Sequence, residues 1–193
     1  MTLRLVLRLA LLVAAFAGLP AAHADTDAAP PTTLNFMGVP YLHRWSQAGQ
    51  NEFTPLSQSD LAKWHDMVTL QVYDKVSTSE QLATIANTVL VSYQKAGLII
   101  RTHSIAAKPD RPAQHMIVAV LSDVGVRELV FARFRMTPEV GEAIVYSHRV
   151  YGFKPDAEAT TWFKAHDIDI EKAMTAWADL PSVRSLQTLP QSP

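Results

Sequence analysis

Residues 98–151 read LIIRTHSIAAKPDRPAQHMIVAVLSDVGVRELVFARFRMTPEVGEAIVYSHRVY, and this stretch decides the fold. It contains four extended segments rich in β-branched and aromatic residues, a composition typical of strands. The breaks between the segments carry Pro, Gly and Asp, which favour turns. Because connections this short favour antiparallel neighbours, the sequence predicts a four-stranded meander. Its strands are Leu98–Ile105, His115–Leu121, Val126–Met136 and Ala143–Tyr151.

Further strands and a helix are predicted on the N-terminal side of this meander. The pattern of Tyr41–Phe53 is that of a β-hairpin with Gly49 in its turn, and Met67–Tyr73 alternates like a strand. Ser77-Thr78-Ser79-Glu80 is a capping-box sequence, and apolar residues then recur at spacings of three and four. These signals predict a helix that ends at Gly97.

A second helix is predicted on the C-terminal side, from Asp156 to Trp177, because its apolar residues form one stripe. His166 lies within that stripe, so we expect apolar surroundings for it. The last residues, 179–193, lack a periodic pattern and are predicted to be a flexible tail. The prediction is therefore a single α+β domain over residues 34–178. It has an antiparallel sheet of about six to seven strands, an N-terminal hairpin, one early helix and one C-terminal helix packed on the sheet.

The first 24 residues have the three parts of a cleavable signal peptide. Arg4 and Arg8 precede and enter an apolar run that Pro20 ends, and Ala22-His23-Ala24 is an Ala-x-Ala cleavage sequence. The apolar run is shorter than the ~20 residues of a bilayer span, and no second span is predicted downstream. We therefore expect export to the periplasm, with an extracellular location as the alternative, and residues 25–33 as a disordered linker.

Composition narrows the classes of function. The 193-residue chain contains no cysteine, which excludes a disulfide framework within it. Cleavage after residue 24 leaves 15 basic side chains against 18 acidic ones. A nucleic-acid-binding protein would normally show a basic excess, so we expect no nucleic-acid partner.

The predicted order of elements resembles the PsbP/Mog1 type of α/β/α sandwich from Tyr41 to Trp177. This resemblance implies a fold known for binding and assembly, and it transfers no functional residue. Separately, the motifs YLHRWS at residues 41–46, GQNEFTP at 49–55 and YSHRVYG at 146–152 resemble uncharacterised exported proteins of proteobacteria. That resemblance implies a location and no chemistry.

Histidines and carboxylates are the candidates for chemistry. No closely spaced histidine motif for zinc occurs, so a metal site would have to assemble across strands, from His103, His115 and His148. Ser147 and His148 are adjacent on a strand and face opposite ways, which excludes them as a nucleophile and base pair. The sequence implies no cofactor and no catalytic residue. Paired carboxylates for glycosidic hydrolysis would come from Glu52, Glu128 and Glu142.

Arginines and aromatic residues give the preferred prediction of function. Arg127, Arg133 and Arg135 alternate on one strand, and Arg149 lies on the next. Together with flanking tyrosines they have the composition of a protein interface or an anion site, against the alternative of a solvated sheet face. The predicted binding residues are Arg127, Arg133, Arg135, Arg149, Tyr146 and Tyr151.

We therefore predict a noncatalytic periplasmic binding or protein-interaction module. Its partner would be another envelope protein or an anionic envelope ligand, and a periplasmic immunity protein is one concrete form. The alternative is an envelope hydrolase or a metal-binding protein that uses histidines and carboxylates of the sheet. An open face rich in arginine would favour the first function, and histidines and carboxylates converging in a pocket would favour the second.

Overall fold

The computed structural model describes residues 32–108 and 111–193 of the chain. The predicted signal peptide and nearly all of the predicted linker lie outside the described residues. The strands are β1 (Thr33–Phe36), β2 (Val39–Gln47), β3 (Gln50–Pro55), β4 (Asp66–Tyr73), β5 (Gly97–Ile105), β6 (Gln114–Asp123), β7 (Val126–Met136) and β8 (Gly141–Tyr151). The helices are α1 (Ser79–Ala96), α2 (Pro155–Ala176) and α3 (Val183–Gln187).

All eight strands belong to one antiparallel sheet in the order β1-β2-β3-β4-β8-β7-β6-β5. Two four-stranded meanders therefore meet where β4 pairs with β8. Helix α1 carries the chain from β4, near the centre, to β5 at one edge. The predicted α+β class is confirmed, whereas the sheet has eight strands within the described residues rather than six or seven.

The additional strand is β1, which a tight turn joins to β2. Met37 and Gly38 form this turn with φ angles of 51° and 79°. Methionine rarely adopts a positive φ, so the sequence gives only a weak turn signal at this point. The predicted hairpin turn has the same geometry, with φ angles of 51° at Ala48 and 80° at Gly49.

Helix α1 covers one side of the sheet, which we call the α1 face. Leu82, Ala86, Val89 and Tyr93 are its buried residues, and they pack on β6, β7 and β8. Small sheet residues let the helix backbone approach closely, and three of them are fully buried: Ala119, Ala132 and Ala143. The N-terminal cap is Thr78, one residue after the start of the predicted motif, and Gln81 completes the capping box.

Helix α2 covers the opposite side, which we call the α2 face. Ile170 and Met174 pack there against the buried sheet residues Phe131, Ile144 and Tyr146. Strand β7 is buried on both sides, since its alternate residues face different helices. The result is a three-layer α/β/α arrangement, with the short helix α3 added beside α2.

The C-terminal segment differs from the predicted flexible tail. Residues 183–187 form helix α3, and Val183, Leu186 and Leu189 are buried in the same core as α2. At the chain end, the backbone N–H of Ser192 donates to the carbonyl oxygen of Ser46 at 2.7 Å. Five residues are too few for a clear helical period, which explains why the sequence pattern did not predict this element.

Candidate binding cavity

A cavity of about 200 Å³ lies on the α2 face, where strands β5, β6 and β7 meet the C-terminal half of α2. It contains Arg133, one of the predicted binding residues, and also His103 and His115, two of the predicted metal ligands. The full lining is His103, Ile105, Gln114, His115, Met116, Arg133, Glu171 and Thr175. We call this space the Arg133 cavity.

Arg133 is a buried cation, with 7% of its surface exposed. Its Nε and Nη2 donate to Oε1 of Gln114 at 3.1 and 2.9 Å, and its Nη1 donates to the carbonyl oxygen of Met174 at 2.7 Å. A guanidinium group has five N–H donors. Two of them therefore have no hydrogen-bond partner among the described residues.

All partners of the Arg133 guanidinium in the described ranges are neutral. Burial lowers the pKa of Arg133, the nearby charge of Arg135 lowers it further, and Glu142 opposes both effects. An arginine nevertheless stays protonated in proteins, so a buried positive charge remains. A carboxylate or phosphate could neutralise it through paired hydrogen bonds.

Glu171 also lines the cavity, but Arg101 already binds its carboxylate. Arg101 Nη2 lies 2.6 Å from Oε2 of Glu171 and 3.1 Å from Oδ2 of Asp167. These ion pairs join the edge strand β5 to helix α2, and of their three residues only Glu171 lines the cavity. Glu171 is thus the counter-ion of Arg101, and Arg133 lacks one of its own among the residues that the structure describes.

His115 lines the cavity as part of strand β6, but its imidazole lies on the α1 face, because His115 pairs with Phe134 of that face. Its Nδ1 lies 2.9 Å from Oγ of Ser104, whereas its Nε2 is buried and has no hydrogen-bond partner in the described part of the chain. Burial lowers the pKa of His115, so the imidazole is neutral near pH 7. Because it lies on the other side of the sheet, this imidazole is not placed to contact an anion bound beside Arg133.

The other predicted arginines do not form one open face with Arg133. Arg127 shares the α2 face but pairs with Asp156, at 2.7 Å between Nε and Oδ1. Arg135 pairs with Glu142 on the same face. Arg149 points to the α1 face, because residues of β8 alternate between the two sides. There its Nε is 2.8 Å from Oε2 of Glu128, and both side chains are buried.

The two predicted tyrosines lie apart from the Arg133 cavity. The hydroxyl of Tyr151 donates to the carbonyl oxygen of Trp64 at 2.8 Å on the α1 face. The hydroxyl of Tyr146 donates to Oδ1 of Asp66, also at 2.8 Å, on the α2 face. Both tyrosines therefore have structural partners, and neither contributes to the lining of the cavity.

His148 belongs to a separate polar cluster on the α2 face and does not join His103 and His115. Its Nδ1 is 2.8 Å from Oδ1 of Asp66, and its ring stacks on Trp162 with centroids 3.8 Å apart. Burial alone would raise the pKa of Asp66, but hydrogen bonds from His148, Gln58 and Tyr146 outweigh it and lower that pKa. Residues 32–108 and 111–193 contain no group of three ligands placed to hold a metal ion.

His166 and the candidate carboxylates also differ from expectation. His166 is exposed, because the indole of Trp162 stacks against it and lies between it and the sheet. Glu128 forms an ion pair with Arg149, and Glu142 forms one with Arg135. Glu52 accepts a hydrogen bond from Gln50. Glu142 faces the opposite side of the sheet from Glu128, so these two do not form a catalytic pair.

Sequence reasoning missed two features of the α2 face. The Asp66–His148 contact joins residues 82 positions apart, and the Arg101 ion pairs join β5 to α2 over 66 and 70 positions. The available signals were weak, namely a carboxylate at the start of a predicted strand and acidic residues spaced by four on one helix. Pairings this distant depend on the strand order, which the local pattern does not specify.

No protein-family model matches this chain, and no curated protein matches it. In the part of the chain that the structure describes, no helix is both long and apolar enough to span a bilayer.

Proposed function

We propose that this protein is a noncatalytic periplasmic binding module that holds an anionic group in the Arg133 cavity. The observation that carries the proposal is the buried guanidinium of Arg133, whose described partners are all neutral and which lines a cavity. The anionic group would belong to another envelope protein or to an anionic envelope ligand. A periplasmic immunity protein would be one such module.

The size and chemistry of the cavity support a small anionic group. Its volume of about 200 Å³ is below the ~300 Å³ at which sites for whole drug-sized ligands begin. A carboxylate or phosphate would take the free donors of Arg133. A larger partner would therefore insert only its charged group and would contact the surrounding surface with the rest.

A titration followed by NMR tests this proposal on the mature chain, residues 25–193. Acetate and inorganic phosphate are added separately, and the Nε–H signal of Arg133 is observed. We expect saturable shifts of this signal, and loss of binding in Arg133→Met. Arg44→Met is the matched control, because Arg44 also donates only to neutral oxygens, those of Thr54, Pro55 and Leu56.

A second variant separates loss of binding from loss of structure. His103 is exposed at the cavity, so His103→Glu adds a negative charge without disturbing the core. It should weaken anion binding while leaving the melting temperature unchanged. Absence of saturable shifts with both anions, or full binding by folded Arg133→Met, would refute the proposal.

The alternative, an envelope hydrolase or a metal protein, has one observation in its favour. The carboxylate of Asp66 orients the imidazole of His148, as in sites where histidine acts as a general base. Metal analysis of the purified protein tests the metal form, and hydrolysis of peptidoglycan by wild type but not by His148→Gln tests the enzymatic form. Stoichiometric zinc or copper, or such hydrolysis, would replace the proposal above.

A further inference from the structure

A second cavity, of about 330 Å³, lies between the N-terminal half of α2 and strands β5, β6 and β7. It shares no lining residue with the Arg133 cavity. Apolar side chains supply most of its wall, and they come from all four elements. They are Leu98, Ile100, Val120, Leu129, Ala159 and Phe163. We call it the Leu98 cavity.

The apolar wall of the Leu98 cavity is incompletely covered by the protein. Leu98 is 67% exposed, and Ile100 and Phe163 are half-buried. Burial of apolar surface stabilises by about 25 cal/mol per Å², and apolar surface that stays in water lacks this stabilisation. The volume of the cavity falls in the range of ~300–1,000 Å³ found for small-molecule sites. Binding of an elongated apolar ligand against this wall would therefore be favourable, because it would remove apolar surface from water.

The charges around this cavity indicate the sign of the charge that a ligand would carry. The charge of Arg127 is paired with Asp156, to which its Nε and Nη2 donate, and its Nη1 donates to the carbonyl oxygens of Asp123 and Val126. Lys164 also lines the cavity and is exposed. No described residue forms an ion pair with Lys164. The cavity thus combines an apolar wall with one free positive charge, which complements an anionic amphiphile.

Two turns beside this cavity expose apolar side chains. Val124, in the turn between β6 and β7, is 96% exposed, and Phe153, between β8 and α2, is 94% exposed. A hydrogen bond of 2.9 Å from the Gly152 N–H to the Gly125 carbonyl oxygen joins the two turns. Arg127 and Asp156, which line the cavity, follow directly after these turns in the chain. Exposed apolar side chains such as Val124 and Phe153, at this end of the cavity, favour contact with an amphiphile-containing surface.

We propose that the Leu98 cavity binds a single-chain anionic amphiphile such as a fatty acid. The acyl chain covers the wall from Leu98 to Phe163, and the carboxylate pairs with the ammonium group of Lys164. This site is independent of the Arg133 cavity, so neither proposal depends on the other. The proposal assigns a ligand class to the cavity and involves no chemical reaction.

Calorimetric titration with laurate tests the proposal on residues 25–193, with dodecyltrimethylammonium as the cationic counterpart. Wild type should bind laurate and prefer it over the cation. Lys164→Glu should weaken laurate binding about ten-fold, as for loss of about 1.4 kcal/mol, and should strengthen binding of the cation. A purely structural role of Lys164 would not reverse the preference. Lys95→Glu, an exposed lysine of α1, is the matched control and should change neither affinity.

The apolar wall is tested by Leu98→Asp, which alters an exposed side chain and should leave the fold intact. It should weaken binding of both amphiphiles, whereas Val91→Asp, at a 47% exposed position of α1, should weaken neither. Equal laurate affinity in wild type, Lys164→Glu and Leu98→Asp, or no binding by wild type, would overturn the proposal.

A second arm of the experiment tests whether the protein takes the amphiphile from solution or from a membrane. Laurate is supplied either as dispersed monomer or within phosphatidylcholine vesicles, and transfer to the protein is timed. With Val124 and Phe153 both changed to Asp, monomer binding should be unchanged and transfer from vesicles slower. Unchanged transfer from vesicles would overturn the role of the two turns and leave dispersed monomer as the source.

Discussion

The guanidinium group of Arg133 donates a hydrogen bond of 2.7 Å to the carbonyl oxygen of Met174, so a strand residue holds the last turn of helix α2. The final four carbonyl groups of a helix lack partners within it, and positive charge is favourable at that end. No basic residue lies in the last turn of α2 itself. Arg133 supplies this charge from the sheet, and the arrangement explains how a buried arginine is tolerated without a described carboxylate partner.

Arg133→Met should therefore lower the free energy of unfolding by about 1–3 kcal/mol, since a buried carbonyl loses its donor. Urea denaturation measures this change, and hydrogen exchange should show the C-terminal turn of α2 opening more often. Lys172→Met, at an exposed position of the same helix, is the control and should change stability little. Equal stability of Arg133→Met and wild type would contradict the anchoring role.

The polar cluster around Asp66 should make stability depend on pH in acid. The pKa of Asp66 is below its ordinary value of 3.8 in the folded protein, so its ionised form stabilises the fold. This contribution is fully present above the unfolded-state pKa and is lost as the pH falls through the folded-state pKa. Wild type should exceed Asp66→Asn in stability at pH 7, and the difference should shrink below about pH 4. Urea denaturation of both proteins across this range measures it, and a constant difference would contradict the prediction.

The fold was predictable where local patterns carry the information. The strands of the 98–151 meander and both long helices follow from period and turn chemistry, and the structure places their ends within a few residues of the prediction. Strand β1 was missed because its turn uses Met37, an unusual residue at positive φ. Helix α3 was missed because a five-residue helix stabilised by burial has no clear period of its own.

The candidate site was predictable only in part. The alternation of side chains along a strand shows which side of the sheet a residue faces, but it does not show which element packs on that side. Arg127, Arg133 and Arg135 do share one face, but helix α2 covers that face and buries Arg133. Arg149 was grouped with them, although its place relative to them depends on the register between β7 and β8. That register pairs Arg149 with Glu128 on the α1 face. The local sequence does not determine the register.

The buried ion pair of Arg149 and Glu128 should show strong coupling. Their side chains are 3% and 2% exposed, and the Arg149 guanidinium stacks over Trp64 at 3.8 Å from the ring centroid. Removing one partner leaves a buried charge, so Glu128→Leu and Arg149→Met should each cost about 3–5 kcal/mol. The double variant should cost much less than the sum, because neither charge remains. Urea denaturation of the four proteins gives the coupling energy, and additive effects would contradict a direct pair.

The C-terminal segment should contribute to the stability of the core. Leu186 of α3 is 2% exposed and packs in the same core as Ile170 and Met174, so Leu186→Ala should cost about 2–5 kcal/mol. Arg184→Ala is the control within the same helix, because Arg184 is exposed. Thermal and urea denaturation measure both variants, and hydrogen exchange should protect the amides of Leu186 and Leu189 in wild type. A Leu186→Ala variant as stable as Arg184→Ala would instead support the flexible tail that the sequence predicted, since a side chain outside the core can be shortened without cost.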